Sequence, residues 1–437
     1  MSAATATYDV AILGGGLAGL TLAIQIRKRR PETSVLILEK RPGPAPAAAF
    51  KVGESTVLSG ATYFADVIGM RDHLEQDQLP KNGLRFFLPA DGNRDITKRL
   101  ESGPPAWPPT HTFQIDRGIF ENELTARAQA HGAELRQGAF IDEIELGDDR
   151  HSVTFVTGGP GGDPTTVTAR WIVDAAGRAS LLKRKLGLSK VVEHAVGSAW
   201  FRLAGGLDLE QWGADNEAWM GRMAERGTRG FSTNHLLGEG YWVWLIPLVS
   251  GPISIGVCTD PAVHPFEEIG DWERMLDWLR RHEPQLAAAV ENRADDVEDF
   301  LRIEHFAYGV ERICSADRWA LVGEAGAFAD PFLSPGSDMI ALSNTFTCDL
   351  VTRDADGEDI SERVEYFNVF FGRMFDHVLC RTEHFYPVFG NPWVASIKLH
   401  WDAWLSFCGV VLCGVKQKLD DLEFMRSVDE DVDRLFR

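Results

Sequence analysis

Three glycines, Gly14, Gly16 and Gly19, stand in GxGxxG spacing between an apolar run, Val10 to Leu13, and the helix-like stretch LTLAIQIR. Each meets a different steric need. The first lets a strand turn sharply, the second lets the backbone approach a pyrophosphate, and the third lets helix and strand pack closely. A helix that opens there presents free N–H groups and a favourable dipole to phosphate. A second apolar run, Val35 to Leu38, ends in Glu39, placed to accept hydrogen bonds from an adenosine ribose. Strand, glycines, helix, strand and acid in that order predict a dinucleotide site.

Other reactive side chains carry two readings each. Ser55 and Thr56, in FKVGEST (Phe50 to Thr56), are candidate helix caps, a role compatible with touching a ligand. Lys81, in KNGLRFF, reads by itself as a surface lysine before a turn. Asp116 and Arg117 sit at a strand-to-helix junction, where they either hold a ligand or cap and pair locally. Trp242 and Trp244, two apart in GYWVWLIPLVSG, fit a strand with one buried face. Lys183, Arg184 and Lys185 read as a solvated helix face. The twelve histidines form no metal-ligand pattern in sequence, so no metal is expected. The six cysteines lack CxxC spacing and read as reduced, mostly buried thiols.

The elements that must position these groups follow from composition and punctuation. At 437 residues, 44% hydrophobic and 25% charged, the chain is long enough for several cores. A net charge of −20 argues against nucleic acid and anionic membranes as partners. The start, MSAATAT, lacks signal-peptide features, and the longest apolar run, Trp404 to Val415, falls short of the roughly 20 residues a bilayer requires. A cytoplasmic protein without an integral membrane segment is expected. RPGPAPAAA reads as loop, Ala61 to Leu74 as helix, and GGPGGDP as a hairpin between strands. Gly197 to Asp260 reads as antiparallel strands, and Phe266 to Val290 as a helix with Trp272, Met275, Leu276 and Leu279 on one face. Arg318 to Val322 is a strand entering a loop that runs to Asp338, with a helix beyond it through Ile340 to Asp349. The remaining residues read as aromatic helices, with Phe367, Phe371, Trp393, Trp401 and Trp404 packing as core and as a cover over an apolar cavity. Trp404 to Val415 reads as a packed helix, a hydrophobic entrance or a subunit contact.

Three nucleotide-type turns, after Leu13, Val173 and Val322, exceed what one NAD site requires. They resemble the FAD-binding fold of the para-hydroxybenzoate hydroxylase and geranylgeranyl reductase superfamily. Asp174, Gly177 and Arg178 match its DxxGR-like turn, and Gly323 matches its late GD segment, with Glu324 in place of aspartate. The resemblance implies an α/β fold: a Rossmann-like FAD-binding domain of the GR2 type, an antiparallel β-sheet substrate domain and a C-terminal helical region. The implied FAD-binding pieces are residues 1–80, 111–196 and 301–350. Residues 81–110 and 197–300 then form the substrate domain, and 351–437 the helical cover.

Within that superfamily the sequence is most similar to the flavin-dependent halogenases. Their WxWxIP signature stands as Trp242, Trp244, Ile246 and Pro247, and their FxxPxxSxG signature as Phe328, Pro331, Ser334 and Gly336. Gly53 to Thr56 resembles their GEST-type loop, and Lys81 the lysine of the carrier-linked and phenolic branch. Leu333 stands where tryptophan halogenases carry glutamate, which argues against that branch.

The resemblance implies that Gly14, Gly16, Gly19, Glu39, Lys40, Ser55, Thr56, Arg117, Asp174, Gly323, Glu324, Pro331 and Gly336 bind FAD, used as FADH2. It implies that reduced flavin, dioxygen and halide yield hypohalous acid, which Lys81 relays to an electron-rich aromatic substrate, free or carrier-tethered. Trp242 and Trp244 would wall the chamber, and Ser334 would sit in the halide turn, where Pro335 has no N–H to offer. A separate flavin reductase, or NAD(P)H binding transiently at the flavin, would supply electrons. Two alternatives stay open: a monooxygenase, oxidase or reductase on the same scaffold without halogenation, and a flavin- or carrier-binding protein without turnover.

Overall fold

The computed structural model describes residues 6–47, 51–159 and 161–435. Phe50 of the FKVGEST segment, Pro160 of the hairpin and the first five residues lie outside that set. The opening strand, Ala6–Leu13, pairs in parallel with Val35–Glu39 on one side and Pro164–Asp174 on the other. Its Val10 to Leu13 run is fully buried, as expected for a parallel strand covered on both faces. Trp319–Leu321 adds in parallel beyond Pro164–Asp174, and Glu134–Gln137 beyond Val35–Glu39, within an eight-stranded sheet. The helices Leu17–Arg29 and Gly336–Ala355 are the long buried elements of its main core.

A second, seven-stranded sheet runs in the order Val297–Ile303, Gly197–Leu203, Ile253–Thr259, Tyr241–Pro247, Thr233–Gly238, Leu84–Leu88 and Leu100–Ser102. All neighbours are antiparallel except Thr233–Gly238 with Leu84–Leu88. The strands between Gly197 and Thr259 pair antiparallel, as expected, and the parallel pair is the one that joins them to Leu84–Leu88. The cause of that parallel pairing is connectivity, because Leu84–Leu88 is contributed from the stretch inserted between two pieces of the nucleotide fold and lies far from Thr233 in sequence.

Several boundaries differ from expectation for local reasons. The helix expected over Ala61 to Leu74 is broken into Leu58–Thr62, a π-helical turn Tyr63–Ile68 and Arg71–Asp77, with Gly69 at φ +86 ending the first part. The helix expected over Phe266 to Val290 divides at Glu283 into Trp272–His282 and Pro284–Val290. There Pro284 supplies a first-turn residue that needs no N–H partner. The C-terminal helix Ser361–Cys380 buries Phe367, Phe370, Phe371 and Phe375, as its spacing predicts. In Pro392–Cys408, by contrast, Trp393, Trp401 and Trp404 face outwards, which overturns their reading as core. Among the described residues no helix is long and apolar enough to cross a membrane.

Candidate active site

Register brings the three nucleotide-type turns together. Leu13 lies opposite Asp174, and Asp174 opposite Leu321, so the chain leaves three adjacent parallel strands at the same end of the sheet. Ligands bind at that end in open α/β sheets. Gly14 adopts φ +120, and a Cβ there would lie 2.4 Å from the Ala175 carbonyl oxygen. At Gly19 a Cβ would lie 2.0 Å from the Gly14 carbonyl oxygen, so the close packing of helix and strand admits only glycine. Around Gly16, at the mouth of the helix Leu17–Arg29, a Cβ would meet only the Lys51 amine, at 3.9 Å. A helix N-terminus facing open space with a cation beside it fits a diphosphate. Glu39 accepts hydrogen bonds from the N–H groups of Gly15 (2.7 Å) and Arg41 (2.8 Å), while Lys40 is exposed beside it.

The second and third turns are built differently from the first. Asp174 is fully buried and accepts from the N–H groups of Ala176 (2.9 Å) and Leu182 (2.7 Å); burial pushes its carboxyl up to about 6. It shapes the turn from within. Gly323, at φ +57, donates its N–H to Ser343, and the Glu324 carbonyl accepts from Tyr308 at 2.6 Å. Arg178 stacks over Tyr308 at 4.9 Å and donates to the Phe306 carbonyl, clamping the second turn to the third. Lys183 does not lie on a solvated face. It is buried, donates to the Gly326 carbonyl at 2.8 Å and lies 4.0 Å over Tyr308, and burial draws its amine down to about 8.

A cationic group, of which sequence reading named Arg117 but missed Lys51 and Arg41, lies near the first turn. The buried carboxylate of Glu121 holds Lys51 at 2.9 Å and Arg117 at 2.7 Å, with Arg41 at 3.7 Å. Arg117, the first residue of the helix Arg117–Ala130, also donates to the Val52 carbonyl, and its buried Nε has no partner. Asp116 is the neighbouring local cap position, bonded to Ser250.

The GEST segment is fastened at every residue after its glycine. Glu54, fully buried, pairs with Arg202 at 2.6 Å, and Arg202 pairs in turn with Asp299. Thr56 exchanges hydrogen bonds with the backbone of Phe113. Ser55 and Thr56 therefore do not cap the helix Leu58–Thr62; Val57 occupies that position without a side-chain bond. Their hydroxyls serve a polar chain through the core.

Lys81 heads that chain. Only 2% exposed, its amine donates to the Ser55 hydroxyl at 2.7 Å and to the Thr56 carbonyl at 2.6 Å. Ser55 also accepts from the Ser334 hydroxyl at 2.9 Å. With both lone pairs taken, the Ser55 proton points to Thr233, 2.8 Å away, and Thr233 contacts Gln114. Burial draws the Lys81 amine down to about 7 against the opposing pull of Asp338. Asp338, bonded to the Gly60 N–H, is itself pushed up to about 7 by burial. The surface reading of Lys81 is overturned.

Ser334 belongs to a tight turn in which Leu333 (φ 65) and Ser334 (φ 58) are both left-handed, a costly conformation for side-chain-bearing residues. Pro335 follows as the cap of the helix Gly336–Ala355, and Gly336 is exposed with open space around it. Opposite the turn stands an aromatic wall. Cross-strand register puts Phe86, His235, Trp244, Gly256 and Trp200 in one row across the second sheet. Gly256 is the gap that lets the Trp244 indole lie flat, since a Cβ there would come within 2.1 Å of it. Trp242 packs 5.7 Å from Trp244 and edge-on to Phe332 at 5.2 Å, so the wall faces the Ser334 turn. Its indole N–H donates to Tyr386, which donates to Asp330, which also holds His194 at 2.6 Å. Asp330, between Phe328 and Pro331, thus ties the turn to the wall. His235 is neutral, its ring drawn down to about 3 by burial, with the nearby Lys81 charge adding to the effect.

His264, Glu268 and His282 approach within 4.8 Å of one another, a grouping the sequence spacing did not reveal. His264 already binds the Glu239 carbonyl and the Trp278 indole, and Glu268 binds Arg281.

The glycine cradle, the open helix mouth with Lys51, and the three aligned turns fit an FAD. The FAD binding domain family model matches residues 7–279. A flavin-dependent halogenase, chlA, of Dictyostelium discoideum is 27% identical over 77% of this chain, which covers 58% of that protein's length. The 1H-pyrrole-2-carbonyl peptidyl-carrier-protein brominase of Pseudoalteromonas luteoviolacea is 25% identical, over 81% of this chain and 79% of that one. Among solved structures, halogenase PltM in complex with phloroglucinol and FAD has the same fold: TM-score 0.76 at 21% identity, covering 97% of this chain and 85% of that one. The chain is thus similar in sequence and in fold to flavin-dependent halogenases, and it belongs to the FAD binding domain family.

Proposed function

We propose that the protein halogenates an electron-rich aromatic substrate with hypohalous acid relayed by Lys81. The reading rests on one observation above the others: a buried amine with a depressed proton affinity is bonded to the serine that also meets the Ser334 turn. Bound reduced FAD supplies, with dioxygen and halide, the hypohalous acid. The first-turn glycines, Glu39, Lys40, Lys51 and Arg117 hold the cofactor's diphosphate and ribose end, and Gly323, Glu324, Pro331 and Gly336 hold its ring end.

Two of the three Lys81 donor positions are used by Ser55 and Thr56. The third, or the lone pair of the neutral amine, meets the hypohalous acid. Ser55 fixes where the amine stands, and Ser334 fixes Ser55. The indoles of Trp242 and Trp244 keep water out and present a flat wall to an aromatic ring. The substrate is a small aromatic, free or carrier-tethered, and a separate flavin reductase supplies FADH2 at the expense of NAD(P)H in the cytoplasm.

A second reading, oxygenation without halide, is favoured by Pro335, which removes one N–H from the turn beside Ser334. Reduced FAD regenerated by an added reductase, with bromide, chloride or neither, separates the two. Phloroglucinol and a carrier-tethered pyrrole are the first substrates to offer. Bromine- or chlorine-bearing product supports halogenation; hydroxylated product regardless of halide supports the second reading. Rapid, substrate-stimulated NAD(P)H consumption without added reductase would also favour the second.

A further inference from the structure

The helix Pro392–Cys408 has two unlike faces. Its inner face, with Ala395 and Leu399, packs into the cluster around Phe332 and Phe389, and its only two charged residues, Lys398 and Asp402, are buried and bonded to each other. Its outer face exposes Trp393 (73%), Ile397 (73%), Trp401 (62%) and Trp404 (70%). At 3.6 residues per turn these four side chains fall within about 80° of arc, a continuous stripe. Phe407 and Val394 extend it.

We infer that this stripe is the contact face of a homodimer, in which the helix packs antiparallel on the same helix of a second copy. Area supports that occupant. Taking about 250 Å² for a fully exposed tryptophan and less for the others, the exposed part of the stripe comes to roughly 750 Å² per copy. This exceeds the roughly 300–600 Å² of the largest apolar patch on a typical monomer and approaches the roughly 800 Å² each partner contributes to a standard interface. The residue order is self-complementary. A twofold axis crossing the helix between Lys398 and Leu399 sets Trp393 against the partner's Trp404, Ile397 against the partner's His400, and the large Trp401 against the partner's small Ser396, in both directions at once.

Charge disfavours the other occupants. The exposed helix face carries no lysine or arginine, and the chain has a net charge of −20, so neither an anionic bilayer nor an acidic carrier protein is attracted to it. Two copies of an acidic chain repel each other everywhere except across a face without charge.

Sedimentation velocity of the full FAD-loaded protein, from low to high micromolar concentration, tests this. The wild type should sediment at twice the monomer mass. Trp404→Gln should raise the dissociation constant by roughly 1,000-fold, since an aromatic anchor worth at least 2 kcal/mol is removed twice per dimer. Ile397→Lys should act likewise, while Val191→Gln, at a 91% exposed valine elsewhere, should leave the dimer intact. Retained FAD absorbance shows that each variant folds. A wild type that stays monomeric, a dimer untouched by both stripe variants, or monomers that float with phosphatidylcholine vesicles would overturn the inference.

Discussion

Replacing Lys81 by methionine should remove halogen transfer and, in mildly acidic solution, stabilise the fold. The amine is 2% exposed, and burial draws it from 10.5 to about 7. Below that value the folded protein keeps a charged group out of water, a penalty of roughly 5 kcal/mol. Methionine has similar length and no charge. It forfeits two hydrogen bonds, to Ser55 and Thr56, worth about 1 kcal/mol each, while the Ser55 hydroxyl keeps Thr233 and Ser334. The net gain near pH 6 is about 3 kcal/mol. Because the folded-state value is depressed, the unfolded chain binds more protons than the folded one between about 7 and 10.5. Wild-type stability therefore rises across that window as the penalty fades, and the gain from methionine should shrink to about zero near pH 9. Urea unfolding of both proteins at the two pH values measures this. A variant less stable than wild type near pH 6, or a gain unchanged with pH, would refute the reasoning.

Gly256→Ala places a methyl group against the Trp244 indole and should lower stability by about 1–3 kcal/mol while changing the near-ultraviolet circular dichroism of the wall; an unchanged spectrum would contradict the packing described. Tyr386→Phe strands the Trp242 N–H and one bond of Asp330, with an expected loss of about 1–3 kcal/mol in urea unfolding. Gly14→Ala brings a Cβ against the Ala175 carbonyl at φ +120, so the purified variant should lose its flavin absorbance; retention at wild-type level would show that this turn does not carry the cofactor.

The nucleotide half of the fold was legible because its signals are local. Ala6 to Glu39 is one continuous strand, turn, helix and strand, and the parallel register then aligns the later turns without further information. The meeting of Lys81, Ser55 and Ser334 is tertiary. Ser334 and Ser55 are 279 residues apart, and no periodicity in either segment reports the other, so only family resemblance placed them together. Lys183 was misread because a basic triplet looks the same whether one member turns inward to a carbonyl or not. The row that adds His235, Gly256 and Trp200 to the signature tryptophan Trp244 depends on strand pairing, which alternation within one strand leaves open. The outer tryptophans of Pro392–Cys408 share their spacing with core helices; only burial of the opposite face decides which way such a stripe points.

The most direct test of the account is the isotopic mass of the product formed from an electron-rich phenol with reduced FAD, dioxygen and bromide, by wild type and by Lys81→Met. The account predicts a bromine doublet from the wild type and none from the variant, although both bind FAD. Bromination by the variant at the wild-type rate, or a halogen-free hydroxylated product from the wild type, would contradict it.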